Sequence, residues 1–169
     1  MTAVFIDELN VYPLKSARGI SKTRVRLAAT GFEWDRHWLV IREDGMFLTQ
    51  RTHPLLTHIA TELTSEGLIL TSAGLKALML PLAPRGTGRP VRIWKDSCEG
   101  LDQGDEAASW VSRVLGEPTR IVRTPLAETS RFRSVCGPLL TNRQHPCIGS
   151  LWRFGQDGLT QSRFVRSRS

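Results

Sequence analysis

Cysteine is scarce and carries no pairing pattern. Cys98, Cys136 and Cys147 form no CxxC pair and no even set, so the chain encodes neither a disulfide framework nor a four-ligand zinc site. That usage suits a reducing cytosol, and a cytoplasmic protein is the expectation. No apolar run approaches the ~20 residues that span a bilayer. The start MTAVFIDELN lacks a basic region followed by an apolar stretch and a small-residue cleavage site, so the reading is a soluble, unexported protein with no membrane partner. His37, His53, His58 and His145 have no metal-ligand spacing, and there is no paired-carboxylate, Ser-His-Asp or glycine-rich dinucleotide signature. No catalytic residue and no metal ligand is therefore assigned.

The 169 residues fit one domain, and 40% hydrophobic against 23% charged residues is enough apolar material for a core. The net charge of +7 is unevenly placed. Residues 1–123 carry 16 Lys and Arg against 14 Asp and Glu, whereas 124–169 carry 7 against 2. Basicity thus belongs mostly to the C-terminal end, where neither helical nor strand periodicity is sustained. Residues 124–169 read as an irregular, basic tail, disordered or altered by a change of reading frame. Nucleic acid is not the expected partner, because the first 123 residues lack an RNA-binding aromatic signature.

Before that point the pattern is of short strands: Val4–Val11, Thr23–Ala28, Ile59–Leu63, Leu68–Thr71, Leu75–Leu82, Val91–Trp94 and Arg120–Arg123. Trp38–Ile41 and Met46–Thr49 around Asp44-Gly45 read as a hairpin, since Asp-Gly tolerates the positive φ of tight turns. Pro84–Pro90 reads as a loop and Asp102–Asp105 as an acidic turn. Ala107, Trp110, Val111, Val114 and Leu115 recur at helical spacing, with Asp105 placed to cap the start and Gly116 the end, predicting one helix near 105–115. Strands about ten residues apart imply a β-barrel or sandwich.

Three clusters offer chemistry. Lys15-Ser16-Ala17-Arg18-Gly19 puts ammonium, hydroxyl, guanidinium and free backbone at a strand end, a surface turn first and an anion-holding loop second. In Gly31–Trp38 two tryptophans bracket an arginine. If that segment is extended, Trp34, Arg36 and Trp38 share a face, the guanidinium can lie on an indole, and Asp35 points away from Arg36. Either an anion site or a structural stack results. Thr49-Gln50-Arg51-Thr52-His53-Pro54 adds a further cation at the hairpin's end.

Taken in order, these segments, Asp35-Arg36-His37-Trp38, Asp44–Arg51 with Pro54, and Val91–Trp94 followed by Asp102-Gln103-Gly104-Asp105 resemble the MOSC N-terminal β-barrel domain, over about Ala3 to Arg123. The resemblance implies a mainly β fold, a barrel with one helix near 105–115, occupying residues 1–123. It implies molybdenum cofactor (molybdopterin) as ligand, with Lys15, Ser16, Arg36 and Arg51 as cofactor-binding residues. It also implies that the metal ligand, a cysteine, lies in a downstream MOSC domain that this sequence does not contain. Only Gly137-Pro138-Leu139-Leu140 echoes the family's approach to that domain, and a truncated chain is the expectation.

Two functions follow. The first is the cofactor-cradling part of a molybdenum-dependent oxidoreductase that reduces N-hydroxylated compounds, inactive alone and partnered by a separate MOSC domain or an electron-transfer protein. The second is a stand-alone, non-catalytic β-barrel module that binds an anionic ligand or a protein.

Overall fold

The computed structural model describes residues 6–28, 31–124, 152–155 and 158–161. The strands are β1 (Leu9–Val11), β2 (Ile20–Lys22), β3 (Leu27–Ala28), β4 (Gly31–Phe32), β5 (Trp38–Arg42), β6 (Ala60–Leu63), β7 (Gly67–Thr71), β8 (Leu78–Pro81), β9 (Thr87–Ile93), β10 (Asp96–Asp102) and β11 (Thr119–Arg123). A 3-10 helix spans Pro54–His58 and one α-helix, α1, spans Asp105–Leu115. A final pair, β12 (Trp152–Gly155) and β13 (Gly158–Gln161), runs antiparallel. The rest of the sequence expected to be irregular beyond Thr124 lies outside the described residues. No helix among the described residues is long and apolar enough to cross a membrane.

β5 and β11 explain the architecture. Both are antiparallel neighbours in a four-stranded sheet of order β5-β11-β10-β9, and both are apolar on two faces. Side chains alternate along a strand, so Trp38, Val40 and Ile121 enter one core while Leu39, Ile41 and Val122 enter another. The first core is completed by the three-stranded sheet β6-β7-β8, the 3-10 helix and the apolar stripe of α1. The second is completed by Phe47, Val91 and Ile93. A continuous hydrophobic run such as Trp38–Ile41 is what a strand shared by two cores requires.

The strand ladders do not close into a continuous barrel. The edges β5 and β9 are instead spanned by Met46–Leu48, through isolated bridges Ile41↔Phe47 and Met46↔Arg92. The Asp-Gly hairpin is formed: Gly45 has φ +81° and its N–H donates to Arg42 O at 3.0 Å. The site also excludes a Cβ, which would stand 2.7 Å from Pro90 O. The returning arm is shorter than expected because its hydrogen bonds are divided between Val40 and Arg92.

Other expectations need correction. Of the strand expected over Val4–Val11, Val4 and Phe5 lie outside the described residues and the rest contributes only Leu9–Val11; Thr23–Ala28 contributes only Leu27–Ala28. The chain leaves the 3-10 helix through Ile59, so β6 starts one residue later, and β8 is confined to Leu78–Pro81. Thr87–Pro90 is strand, not loop: Pro90 pairs with Glu99 in the regular β9–β10 ladder. β10 itself has no apolar signal, being Asp-Ser-Cys-Glu-Gly-Leu-Asp. The helix is where its periodicity puts it, and Gly116 at φ 75° ends it by donating to Ser112 O at 2.8 Å. Its N-cap, however, is Gly104, with no side-chain cap.

The start of α1 is held by Asp102. This buried carboxylate accepts from Arg89 Nε at 2.7 Å and Arg120 Nε at 2.5 Å through Oδ2, and from Gly104 N–H at 2.9 Å and Arg120 Nη2 at 3.1 Å through Oδ1. Asp105 extends the pair by accepting from Arg120 at 2.7 Å. Burial acts to raise the Asp102 pKa, but the hydrogen bonds from Arg120 and Gly104 and the two positive charges outweigh it, and the carboxyl titrates below its ordinary value. Its stabilisation is therefore complete above the unfolded carboxylate pKa of about 3.9 and is lost as pH falls below it. Asp102→Ala should lower stability at pH 7 by about 3 kcal/mol, since it leaves two arginines and a helix start without their acceptor. Chemical denaturation of parent and variant at pH 7 measures this, and equal midpoints would remove the hub.

Candidate anion-binding site

Two loops distant in sequence are joined by main-chain bonds at the start of β5. Lys15 N–H donates to Trp38 O at 2.8 Å, Trp38 N–H to Pro13 O at 3.0 Å, and Arg36 N–H to Tyr12 O at 2.8 Å. Leu14, fully buried beside Trp38, anchors the first loop from beneath. Lys15, Ser16 and Arg36 are thereby carried on adjoining backbone. Ser16 (φ 70°), Trp34 (φ 67°) and Arg36 (φ 57°) all adopt the left-handed conformation. Outside glycine this costs about 1–2 kcal/mol per residue, and such strain gathers where a side chain must be aimed.

The left-handed residues overturn the flat-strand expectation for Trp34, Arg36 and Trp38. Residues 33–36 are turns, so alternation does not apply, and Asp35 folds back onto its neighbour: Arg36 Nη1 donates to Asp35 Oδ2 at 2.6 Å while Asp35 Oδ1 accepts from Tyr12 N–H at 2.9 Å. Burial raises the Asp35 pKa, opposed by the charge of Arg36, the Tyr12 hydrogen bond and the charge of Lys15. Lys15 and Arg36 thus act on one carboxylate, two cations against one anion. The Lys15 ammonium also lies 5.0 Å from the centre of the Phe47 ring, whose edge meets the exposed Trp94 at 5.1 Å.

Arg51 is carried on a separate turn. It sits on the exposed turn Thr49–His53, formed by Thr52 and His53 N–H groups donating to Thr49 O. That turn is tied toward the end of α1, through His53 Nε2 at 2.6 Å from Glu117 Oε1. The structure therefore brings Lys15, Ser16 and Arg36 together, and carries Arg51 on another element.

An arginine does stack on the two tryptophans, but it is Arg123. Its guanidinium carbon lies 5.1 Å from the Trp38 ring centre and 5.8 Å from that of Trp34, whose rings stack 6.2 Å apart. Arg123 is 1% exposed, its Nη1 donates to Leu82 O, and burial lowers its pKa. The available sign in the sequence was position: Arg123 pairs directly with Trp38 in the β11–β5 register. Beside it His37 is buried against both indoles, and its Nδ1 has no hydrogen-bond partner. Burial, then the charge of Arg123, lower the His37 pKa to about 4.

The donor set suits an oxyanion. Lysine supplies a point charge, arginine a planar fork and serine a short donor, and Arg36 remains partly exposed, at 39% for its side chain. Among the described residues no three His, Cys, Asp or Glu side chains cluster to hold a metal ion. Cys98, half-buried on β10, packs against the second core.

The sequence matches the MOSC N-terminal beta barrel domain over residues 3–118. The chain belongs to this family. Relatives include mitochondrial amidoxime-reducing component 1 of Mus musculus, 35% identical over 116 residues, covering 65% of this chain and 34% of that protein. Molybdenum cofactor sulfurase of Anopheles gambiae is 31% identical over 150 residues, covering 81% of this chain and 20% of that one. The chain thus corresponds to about a third of the first relative and a fifth of the second. In fold it is similar to a Bordetella bronchiseptica protein solved in solution, with a TM-score of 0.50 at 24% identity, covering 65% of this chain and 96% of that one.

The buried imidazole gives this site a pH signature. A neutral His37 that titrates near 4 when folded and near 6.5 when unfolded leaves stability untouched above pH 6.5. Between 6.5 and 4 only the unfolded chain gains the proton, so stability falls. His37→Phe should flatten that part of the stability profile. In Arg123→Met the imidazole should titrate closer to its ordinary value while still depressed by burial, as read by NMR; an unchanged His37 titration would show that Arg123 does not act on it.

Proposed function

We propose that residues 1–123 cradle the anionic part of molybdenum cofactor, as the N-terminal portion of an oxidoreductase that reduces N-hydroxylated compounds. The observation that carries this is the pair of main-chain bonds joining Pro13–Lys15 to Trp38, which sets Lys15 and Ser16 beside Arg36. In this reading Lys15 and Arg36 hold a phosphate by charge-assisted hydrogen bonds, Ser16 adds a donor, and Arg51 approaches from its own turn. When bound, the cofactor supplies the redox-active metal. The chain's own residues bind and orient, and Asp35 keeps Arg36 aimed. The thiolate ligand, the substrate and the electron donor belong to a MOSC domain or separate partner, and the chain by itself is inactive.

The relatives support this, being an amidoxime-reducing component and a molybdenum cofactor sulfurase. A second reading, a stand-alone module for an anionic ligand or a protein, is favoured by the solution structure, in which the shared fold makes up 96% of the chain.

The two separate on cofactor content. In the mouse amidoxime-reducing relative, replacing the residues that match Lys15 and Arg36 with alanine should lower molybdenum and pterin content at least fivefold, and unchanged content would overturn the assignment. The present chain, purified from a host that makes the cofactor, should acquire turnover of an N-hydroxylated substrate only when supplied with a MOSC domain. Pterin retained without any turnover after that addition would favour the second reading.

A further inference from the structure

The loop Lys15–Gly19 serves two separate places. Lys15 lies over Phe47, whereas Arg18, beyond Ser16 and the buried Ala17, lines an open cleft. Arg18 is fixed there by its main chain: its N–H donates to Ile59 O at 3.0 Å and its carbonyl accepts from Thr61 Oγ1 at 2.9 Å. The cleft, of about 580 Å³, is also lined by His58 at the end of the 3-10 helix and Arg113 on α1. Three elements far apart in sequence thus each bring a nitrogen-bearing side chain to one concavity.

The lining is basic. None of the residues lining the cleft is Asp or Glu, and neither Arg18 nor Arg113 is engaged by a carboxylate among the described residues. Other arginines of the domain are treated differently: Arg36, Arg42, Arg89 and Arg120 are each ion-paired. Two exposed guanidiniums that line one hollow can both donate to an oxyanion set between them, as bidentate hydrogen bonds. Thr71 and Ser72, at the end of β7, offer hydroxyl donors on the same wall.

The remaining wall is apolar. Leu75 and Val114, partly buried and packed on the first core, line the cleft with Ala60 and Ala73. The concavity is open to solvent on one side and is larger than a free phosphate requires. We propose that this cleft binds a phosphomonoester carried on an apolar body, with Arg18 and Arg113 on the phosphate and Leu75 and Val114 against the body. This site is distinct from the one at Lys15 and Arg36 and does not depend on its function.

Phenyl phosphate titrated into the isotopically labelled full chain tests the assignment, with phenol, inorganic phosphate and benzoate as comparison ligands. Amide shifts should appear at Thr71, Ser72 and Arg113, and phenyl phosphate should bind at least fivefold more tightly than each of the other three. The double variant Arg18→Gln/Arg113→Gln should weaken binding at least tenfold, while Arg24→Gln, which removes an exposed charge outside the cleft, leaves it unchanged. The replaced side chains are exposed, and a preserved amide spectrum certifies that the variant is folded. Thr71→Val, lacking one donor, should weaken binding by a few-fold without altering charge. Shifts confined to Lys15 and Ser16, equal affinity in the double variant, or benzoate binding as tightly as phenyl phosphate would each overturn the proposal.

Discussion

The candidate cofactor site rests on the main-chain exchange between Pro13–Lys15 and Trp38. Each loop has only one or two apolar side chains in or against the core, Leu14 and Ala17 in the first and Trp34 in the second, and neither would hold a fixed shape in isolation. Joined to the first residue of β5, they acquire the rigidity of a strand that is buried on both faces. That coupling orders the cations at the surface without drawing them into the core, where desolvation would weaken their charge. It also accounts for the strained backbone at Ser16, Trp34 and Arg36: the cost is met by the packing of Leu14 and Trp38 beneath.

Two buried charges show how differently the same fold treats opposite ions. Asp102 is saturated with donors and serves as a joint between β10, β9, β11 and the start of α1. Among the described residues no carboxylate pairs with Arg123. It is held instead by a carbonyl and by the faces of two indoles, which tolerate a weakly hydrated guanidinium far better than they would an ammonium. Burial, aided by this neighbouring charge, keeps His37 neutral beside it. A patch of the molecule that looks cationic in sequence is thus, in its interior, an aromatic box around a single charge.

What was legible in the sequence follows the range of the interactions concerned. The helix was readable because amphipathic spacing and Gly116 are local, and the Asp44-Gly45 turn because its backbone demand is local too. β10 was not, since its polar residues gain their place only by pairing with β9 and β11. Arg36 and Asp35 were misread because a left-handed arginine cannot be inferred from composition, and alternation holds only for extended chain. The stacking of an arginine on the tryptophans was foreseen, but assigned to the neighbour in sequence. The true partner, Arg123, arrives through a strand register. Arg18, grouped with Lys15 by adjacency, lines a cleft of its own beyond Ser16 and the buried Ala17.

Pro90 lies in a ladder position that ordinarily disfavours proline. In β9 the main chain of Arg92 is directed to Gly45 and Phe47, away from β10, and alternation directs Pro90 to that same outer side. The segment Gly45–Leu48 lies along this side of β9 from Pro90, whose carbonyl stands against Gly45, to Arg92. Having no N–H, Pro90 leaves no donor on that side for the covering segment to satisfy. The incomplete closure of the sheet is thus matched to the residue beneath it: where the cover turns away at Gly45, the strand has no donor left to pair.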